Sequence, residues 1–198
     1  MNHSIVVFVV FLSIAVLLAC SNEQDIATDA AHKHQTNGWT AYNQKDFSGA
    51  QLSFERAIAL DSNLADAHNG LGWSQLSVSQ ASTANSQIIG IAKREFEIAI
   101  RIDSTNADAW VGLANTLFLR RALDSDFQTA LRAIDNAFDA NHRFLFRHDY
   151  QSAGNLHLLK AACYYYLGKS DLAKTALETG VRFDSQNLSA LSLNRLLK

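Results

Sequence analysis

Residues 47–73 read FSGAQLSFERAIALDSNLADAHNGLGW, and the organisation of the whole chain can be worked out from them. Ala50, Phe54, Ala57 and Ile58 recur at i, i+4, i+7 and i+8, the spacing of one face of an α-helix. Asp61, Ser62 and Asn63 then interrupt the apolar pattern and supply side-chain oxygens suited to capping a following helix. The next segment opens with Ala65-Asp66-Ala67 and sets a small residue, Gly72, directly before Trp73.

The same apolar spacing returns in Ala92, Phe96, Ala99 and Ile100, in Ala130, Ile134, Ala137 and Phe138, and in Ala173, Leu177, Gly180 and Val181. Upstream of each copy stands a partner segment with a small residue at one register, Gly38, Gly72, Ala114 or Ala161. Two helix backbones are expected to approach closely at those positions, with large residues such as Trp39, Tyr42, Trp73, Leu117 and Tyr164 interlocking around them. The junctions repeat too, as Leu60-Asp61-Ser62-Asn63, Ile102-Asp103-Ser104-Thr105-Asn106 and Phe183-Asp184-Ser185-Gln186-Asn187. Four helix hairpins in one register follow from this pattern.

Hairpins with these junctions resemble the tetratricopeptide repeat, a helix-turn-helix unit of about 34 residues. The resemblance covers about residues 31–198 and implies an all-α fold, a right-handed superhelical solenoid. The expected repeats lie at about 31–64, 65–106, 107–142 and 153–187, with an insert at 143–152 and a capping helix at 188–198. In that last helix Leu188, Leu191, Leu196 and Leu197 are expected on the buried side, because the end of a solenoid otherwise exposes an apolar face. The family usually places proline at the turn between repeats, whereas this chain contains none. Ser62, Ser104, His142 and Ser185 stand there instead, and serine still caps a helix.

From the small residue of each first helix to the alanine opening the second, the spacing is 12 residues in the first and fourth hairpins, 20 in the second and 16 in the third. Whole extra helical turns account for this, as does a loop at Ser77–Gln87; the spacing leaves both open.

The resemblance further implies that first helices line a concave groove. The residues at the matching register are Gln35, Trp39, Tyr42 and Asn43, then Asn69, Trp73 and Leu76, then Val111, Asn115 and Phe118, then Asn155, Tyr165 and Tyr166. Rings with interleaved amides suit an extended peptide, whose backbone pairs with the amides while its side chains pack on the rings. An aromatic at helical spacing more often serves core packing, so each residue carries both readings. The basic residues with which chaperone-tail-binding members of the family clamp a terminal carboxylate are absent from the matching positions.

The segment from His142 to Asn155, HRFLFRHDYQSAGN, departs from the repeat and reads as an inserted crossover. Phe144, Phe146 and Tyr150 alternate with Arg143, Arg147, His148 and Asp149, so apolar anchors are expected to pin it while charged groups face a groove or a neighbour. His142, His148, Asp149 and His157 are types that bind zinc, but no HExxH or paired CxxC spacing occurs, and metal is not expected. Without a phosphate loop, a GxSxG elbow or a catalytic cysteine setting, neither enzymatic activity nor a cofactor is expected. Cys163 reads as a small hydrophobe, and His32 and His68 as surface residues of first helices.

The chain of 198 residues is 48% hydrophobic and 18% charged, enough to bury one substantial core. Its net charge of -2, with signs interspersed, offers no basic stripe, so nucleic acid is not an expected partner. At the N-terminus, Ile5–Ala19 reads IVVFVVFLSIAVLLA and polarity resumes at Cys20-Ser21-Asn22-Glu23. Such a run is too short for a spanning helix and fits a cleaved signal segment, residues 1–19.

Leu17-Leu18-Ala19-Cys20 resembles the lipobox of bacterial lipoproteins. The resemblance implies acylation at Cys20, a polar tether over 20–30 and a position on the extracytoplasmic side of the cell envelope. Ser21 resembles the sorting pattern for the outer membrane in Gram-negative cells. The combined expectation is a membrane-tethered scaffold that binds a peptide or protein in its groove; the competing expectation is a structural envelope lipoprotein that self-associates without a separate ligand.

Overall fold

The computed structural model describes residues 26–81, 86–140, 145, 147, 148, 150, 152–183 and 188–197. The signal segment and Cys20 lie outside them, as do His142, Arg143, Phe144, Phe146 and Asp149 of the insert. Most of the described residues are helical, and among them no strand occurs. Helix α1 covers residues 26–43, so residues 26–30 continue a helix where a tether was expected. Ile26, Ala27, Ala30 and Ala31 supply the helix-forming side chains. It is followed by α2 (Phe47–Leu60), α3 (Ala65–Ala81), α4 (Ser86–Ile102), α5 (Ala107–Arg120), α6 (Asp124–Asp139), α7 (Ala153–Tyr166), α8 (Ser170–Phe183) and α9 (Leu188–Leu196).

Consecutive helices from α2 onward pack as antiparallel neighbours, and a second set of contacts runs from α3 to α5, α5 to α7 and α7 to α9. Odd-numbered helices therefore form an inner layer and even-numbered helices back it, the arrangement of a helical-hairpin solenoid. In the second hairpin both helices are 17 residues long, against 14 for α2, so the extra sequence lengthens the hairpin.

Each spacing quartet of the sequence becomes the buried stripe of an even-numbered helix. Ala50, Phe54 and Ala57 are fully buried on α2, and Ala92, Phe96 and Ala99 on α4. Burying one such phenylalanine stabilises the fold by about 1.5–3 kcal/mol. The small residues opposite serve a different purpose from the one expected. At Gly38, Gly70, Gly72 and Gly112 a Cβ would meet a phenylalanine ring, Phe54 for the first pair and Phe96 for the second. Ring rather than backbone fills the space, because one ring from an even-numbered helix wedges between two successive odd-numbered ones. Among the glycines of the described residues, those on α7 and α8 come close to backbone: a Cβ on Gly154 would lie 3.1 Å from the Gly180 carbonyl oxygen.

A continuous core extends from Trp39 on α1 to Cys163 on α7, and a smaller one joins α7, α8 and α9. Among the described side chains of α9, Leu193 and, just past its end, Leu197 are buried, whereas Leu196 is 60% exposed; the side chains of Leu188 and Leu191 lie outside the described ones. Leu193 and Leu197, four residues apart, share the face against α7 and α8, and Leu193 takes the place expected for Leu196. His68 is a second correction. It is buried rather than on the surface, and it ties α3 to α4 through Glu95 at 2.8 Å and to the preceding turn through the Ser62 carbonyl oxygen at 3.2 Å.

Candidate functional site

The inner layer owes its chemistry to one register position, the second residue of a first helix. Asp66 occupies it on α3 and Asp108 on α5. Negative charge is favoured there by the helix dipole. Asp66 is largely buried and Asp108 completely so, and both carboxylates face the insert. Asn69, one turn beyond Asp66, links them by donating to Asp108 Oδ2 at 2.7 Å and to Asp66 Oδ1 at 3.4 Å.

Onto this pair the insert lays Arg147, His148 and Tyr150. Arg147 forms a fork with Asp66, its Nη1 2.5 Å from Oδ1 and its Nη2 3.0 Å from Oδ2. Its guanidinium carbon also stands 3.9 Å from the centre of the Trp39 ring. Trp39 Nε1 donates to Asp66 Oδ2 at 2.9 Å, and Gln35 Nε2 to the same oxygen at 3.3 Å. Carboxylate, indole and amide thus form a cage whose geometry matches a planar guanidinium better than a point-charge ammonium.

One repeat along, Tyr150 donates its hydroxyl hydrogen to Asp108 Oδ1 at 2.8 Å, and His148 Nε2 lies 3.1 Å from Asp108 Oδ2. The His148 ring stacks on Trp39 at 5.5 Å and meets Trp73 edge-on at 4.5 Å and Tyr42 at 5.1 Å. Among the described residues of the insert, Leu145 and Tyr150 are buried apolar anchors. Its described charged side chains face the inner layer and pair with carboxylates there.

A cavity of about 390 Å³ adjoins this contact, lined by Lys45, Phe47, Trp73, Leu76, Ser77, Asn115 and Tyr150. Among the described residues, the buried atoms Trp73 Nε1, on a ring that lines it, and Asn69 Oδ1 have no hydrogen-bond partner. Buried polar atoms are ordinarily satisfied, so each leaves binding capacity unused.

The residues expected in a groove therefore separate into three groups. Gln35, Trp39, Tyr42, Asn69 and Trp73 surround the insert, and all but Gln35 are buried. Leu76 and Asn115 line the adjoining cavity. The others lie elsewhere. Val111 is fully buried and its carbonyl accepts from Asn115 Nδ2 at 3.0 Å. Tyr166 stacks on Phe127 of α6 and Phe118 meets both rings edge-on, Tyr165 packs towards the α7–α9 core, and Asn155 caps α7 through Ser152. Asn43 is exposed at the end of α1.

Asp66 and Asp108 did not figure among the expected groove residues, because an acidic residue at a helix start reads first as a cap. The helical period does carry the signal: Asp66 lies three residues before Asn69 and seven before Trp73, on the same face.

Elsewhere the titratable groups have structural roles. Asp126 caps α6, accepting from the Ala122 amide at 2.9 Å, and the Arg120 guanidinium beside it holds its carboxyl below the usual carboxylate range. Burial lowers the pKa of His157, which stacks between Phe138 and Phe183. Burial also pushes the Cys163 thiol up to about 12. Among the described residues no three His, Cys, Asp or Glu side chains come together as a metal site.

No protein-family model matches this sequence, and no curated protein does. Solved structures do resemble the fold. A MamA protein superposes with a TM-score of 0.64 at 16% identity, covering 85% of this chain and 81% of its own. PilF of Pseudomonas aeruginosa gives 0.59 at 18% identity, covering 86% and 69%. TTC0263, a thermophilic TPR protein of Thermus thermophilus, gives 0.56 at 17% identity, covering 79% and 75%. The common element is the tetratricopeptide-type solenoid.

Proposed function

We propose that this solenoid is a non-catalytic scaffold, held at a membrane of the cell envelope by lipid on Cys20, that takes a segment of another protein on its inner layer. One observation carries the binding half: that layer already seats a non-helical segment of polypeptide, with Arg147 on Asp66 and Tyr150 on Asp108. A face that orders one such segment through a fork, a ring stack and a buried hydroxyl has the chemistry of a peptide receptor. The tether rests on Leu17-Leu18-Ala19-Cys20 after an apolar run. Several acyl chains, each contributing about 0.8 kcal/mol per buried methylene, would hold the protein to a bilayer more firmly than one chain does. No described helix is long and apolar enough to cross a membrane.

The test is crosslinking in cells followed by capture from membranes, comparing the full chain with Cys20→Ser and reading the N-terminal peptide by mass spectrometry. A lipidated N-terminus, with an envelope protein crosslinked to the inner layer and lost in the variant, is the expected result. An unmodified N-terminus and crosslinks only between copies of this chain would replace the scaffold with a self-associating structural protein.

A further inference from the structure

Resting on the scaffold reading, and going beyond it to the chemistry of the partner, we infer that the inner layer is a receptor for an arginine-bearing segment with an aromatic hydroxyl three residues on. Arg147 and Tyr150 of this chain occupy that receptor as an internal stand-in. The two carboxylates set the pattern. They recur at one register of successive first helices, so their separation is that of one repeat, and an arginine and a tyrosine three residues apart bridge it. The cage at Asp66 is selective for guanidinium, because fork and stack act together there: two nitrogens meet two oxygens while the plane lies over Trp39. Gln35 and Trp39 both donate to Asp66 and so hold the carboxylate in place.

Three features suit this face to an incoming segment as well as to its own. The Arg147 and Asp66 side chains remain 27% and 15% exposed, so this pair sits at the rim within reach of solvent, unlike the wholly buried Asp108. Among the described residues, Trp73 Nε1 has no hydrogen-bond partner, and its ring lines the adjoining cavity, where a further stretch of peptide backbone could offer it a carbonyl. The adjoining cavity of about 390 Å³ gives a longer ligand room to continue past Tyr150. The two carboxylates on the face make an acidic or phosphorylated segment the wrong partner by charge.

The probe is a synthetic peptide reproducing residues 145–152, Leu-Phe-Arg-His-Asp-Tyr-Gln-Ser, titrated calorimetrically into the full chain in detergent. Two companion peptides carry alanine or lysine in place of the arginine. An internal competitor acts at an effective concentration in about the millimolar range and scales apparent affinity down to the fraction of sites it leaves open. Arg147→Ala in the protein should therefore bind the arginine peptide at least about ten-fold tighter than the natural chain does. The alanine peptide should lose at least that factor and the lysine peptide should fall between.

An Arg147→Ala chain with unchanged helicity and melting that binds the arginine peptide no better, or the alanine peptide equally well, overturns the inference. Asp66→Asn should abolish the preference for arginine; because it alters a buried network, Arg147→Ala remains the deciding variant. Light scattering over a concentration series adds a further outcome: a dimer dispersed by Arg147→Ala would assign the receptor to a second copy of this chain and overturn a separate partner. The peptide titration and the envelope crosslink fail independently. Absence of a crosslinked partner leaves the peptide affinities standing, and absence of arginine preference leaves a crosslinked partner standing.

Discussion

Replacing Gly112 by alanine sets two known effects against each other. In a helix interior, alanine is favoured over glycine by about 0.8–1 kcal/mol. Packing opposes it, since a Cβ at position 112 would lie 2.1 Å from Phe96 Cε1, 2.4 Å from Cζ and 2.6 Å from Cδ1. The ring has nowhere to go. It is fully buried, a Cβ built on Gly72 would already lie only 2.9 Å from its Cε1, and Trp73 meets it edge-on at 5.5 Å.

Overpacking of this kind costs about 1–3 kcal/mol or more, and the upper end applies where a rigid ring is trapped between two helices. The expected net loss is about 2 kcal/mol, which for a chain of this size lowers Tm by roughly 4–8 °C. Gly90→Ala is the matched control. That glycine is exposed on α4, and a Cβ there would have no atom within 4 Å, so the propensity gain stands alone and Tm should rise by about 1–4 °C. Circular-dichroism melts of both variants decide the matter. If Gly112→Ala melts at or above the natural chain, the wedge of Phe96 between α3 and α5 does not hold the solenoid as described.

Other consequences are open to equally direct measurement. Tyr150→Phe removes the hydroxyl bonded to buried Asp108 and should cost about 1.5–3 kcal/mol in denaturant unfolding; an unchanged midpoint would mean that the insert does not anchor there. Asp126→Asn should cost about 1.5–3 kcal/mol at neutral pH. Because the folded-state pKa of Asp126 is depressed, that stability is fully present above the unfolded carboxylate value of about 3.9 and is lost as pH falls through the lower folded value. The gap between natural chain and variant should accordingly narrow in acid, and a constant gap down to low pH would contradict the charge-based account. Cys163, fully buried with its pKa at about 12, should resist a thiol reagent at mildly alkaline pH until the chain unfolds; prompt labelling of the native protein would refute the packing assigned to α7.

What could be read from the sequence follows from how locally each feature is encoded. The stripe Ala50, Phe54, Ala57 repeats at fixed period, and period alone specifies a helix face, so the hairpins and their order were legible. Whether residues 77–87 continue a helix was not, because extra turns and a loop have the same length in sequence. The capping helix shows the same boundary on a smaller scale. Its existence was readable, but choosing Leu193 over Leu196 required the surface it packs against.

The site divides along the same line. Trp39, Trp73 and Asn69 stand out at groove register, and the alternation within 143–152 announces a segment with anchors and charges. No local rule joins Arg147 to Asp66, 81 residues earlier. That pairing exists because successive repeats stack their first helices side by side, which brings Asp66 and Asp108 onto one face and lets a crossover from a later repeat return across it. The period of the sequence by itself determined repeated helix hairpins, and their resemblance to tetratricopeptide repeats implied a solenoid with an aromatic and amide inner face. Only the tertiary structure decided that the face is acidic at its centre and already occupied, since a contact between distant residues depends on the closure of the whole superhelix and has no counterpart in the spacing of neighbours.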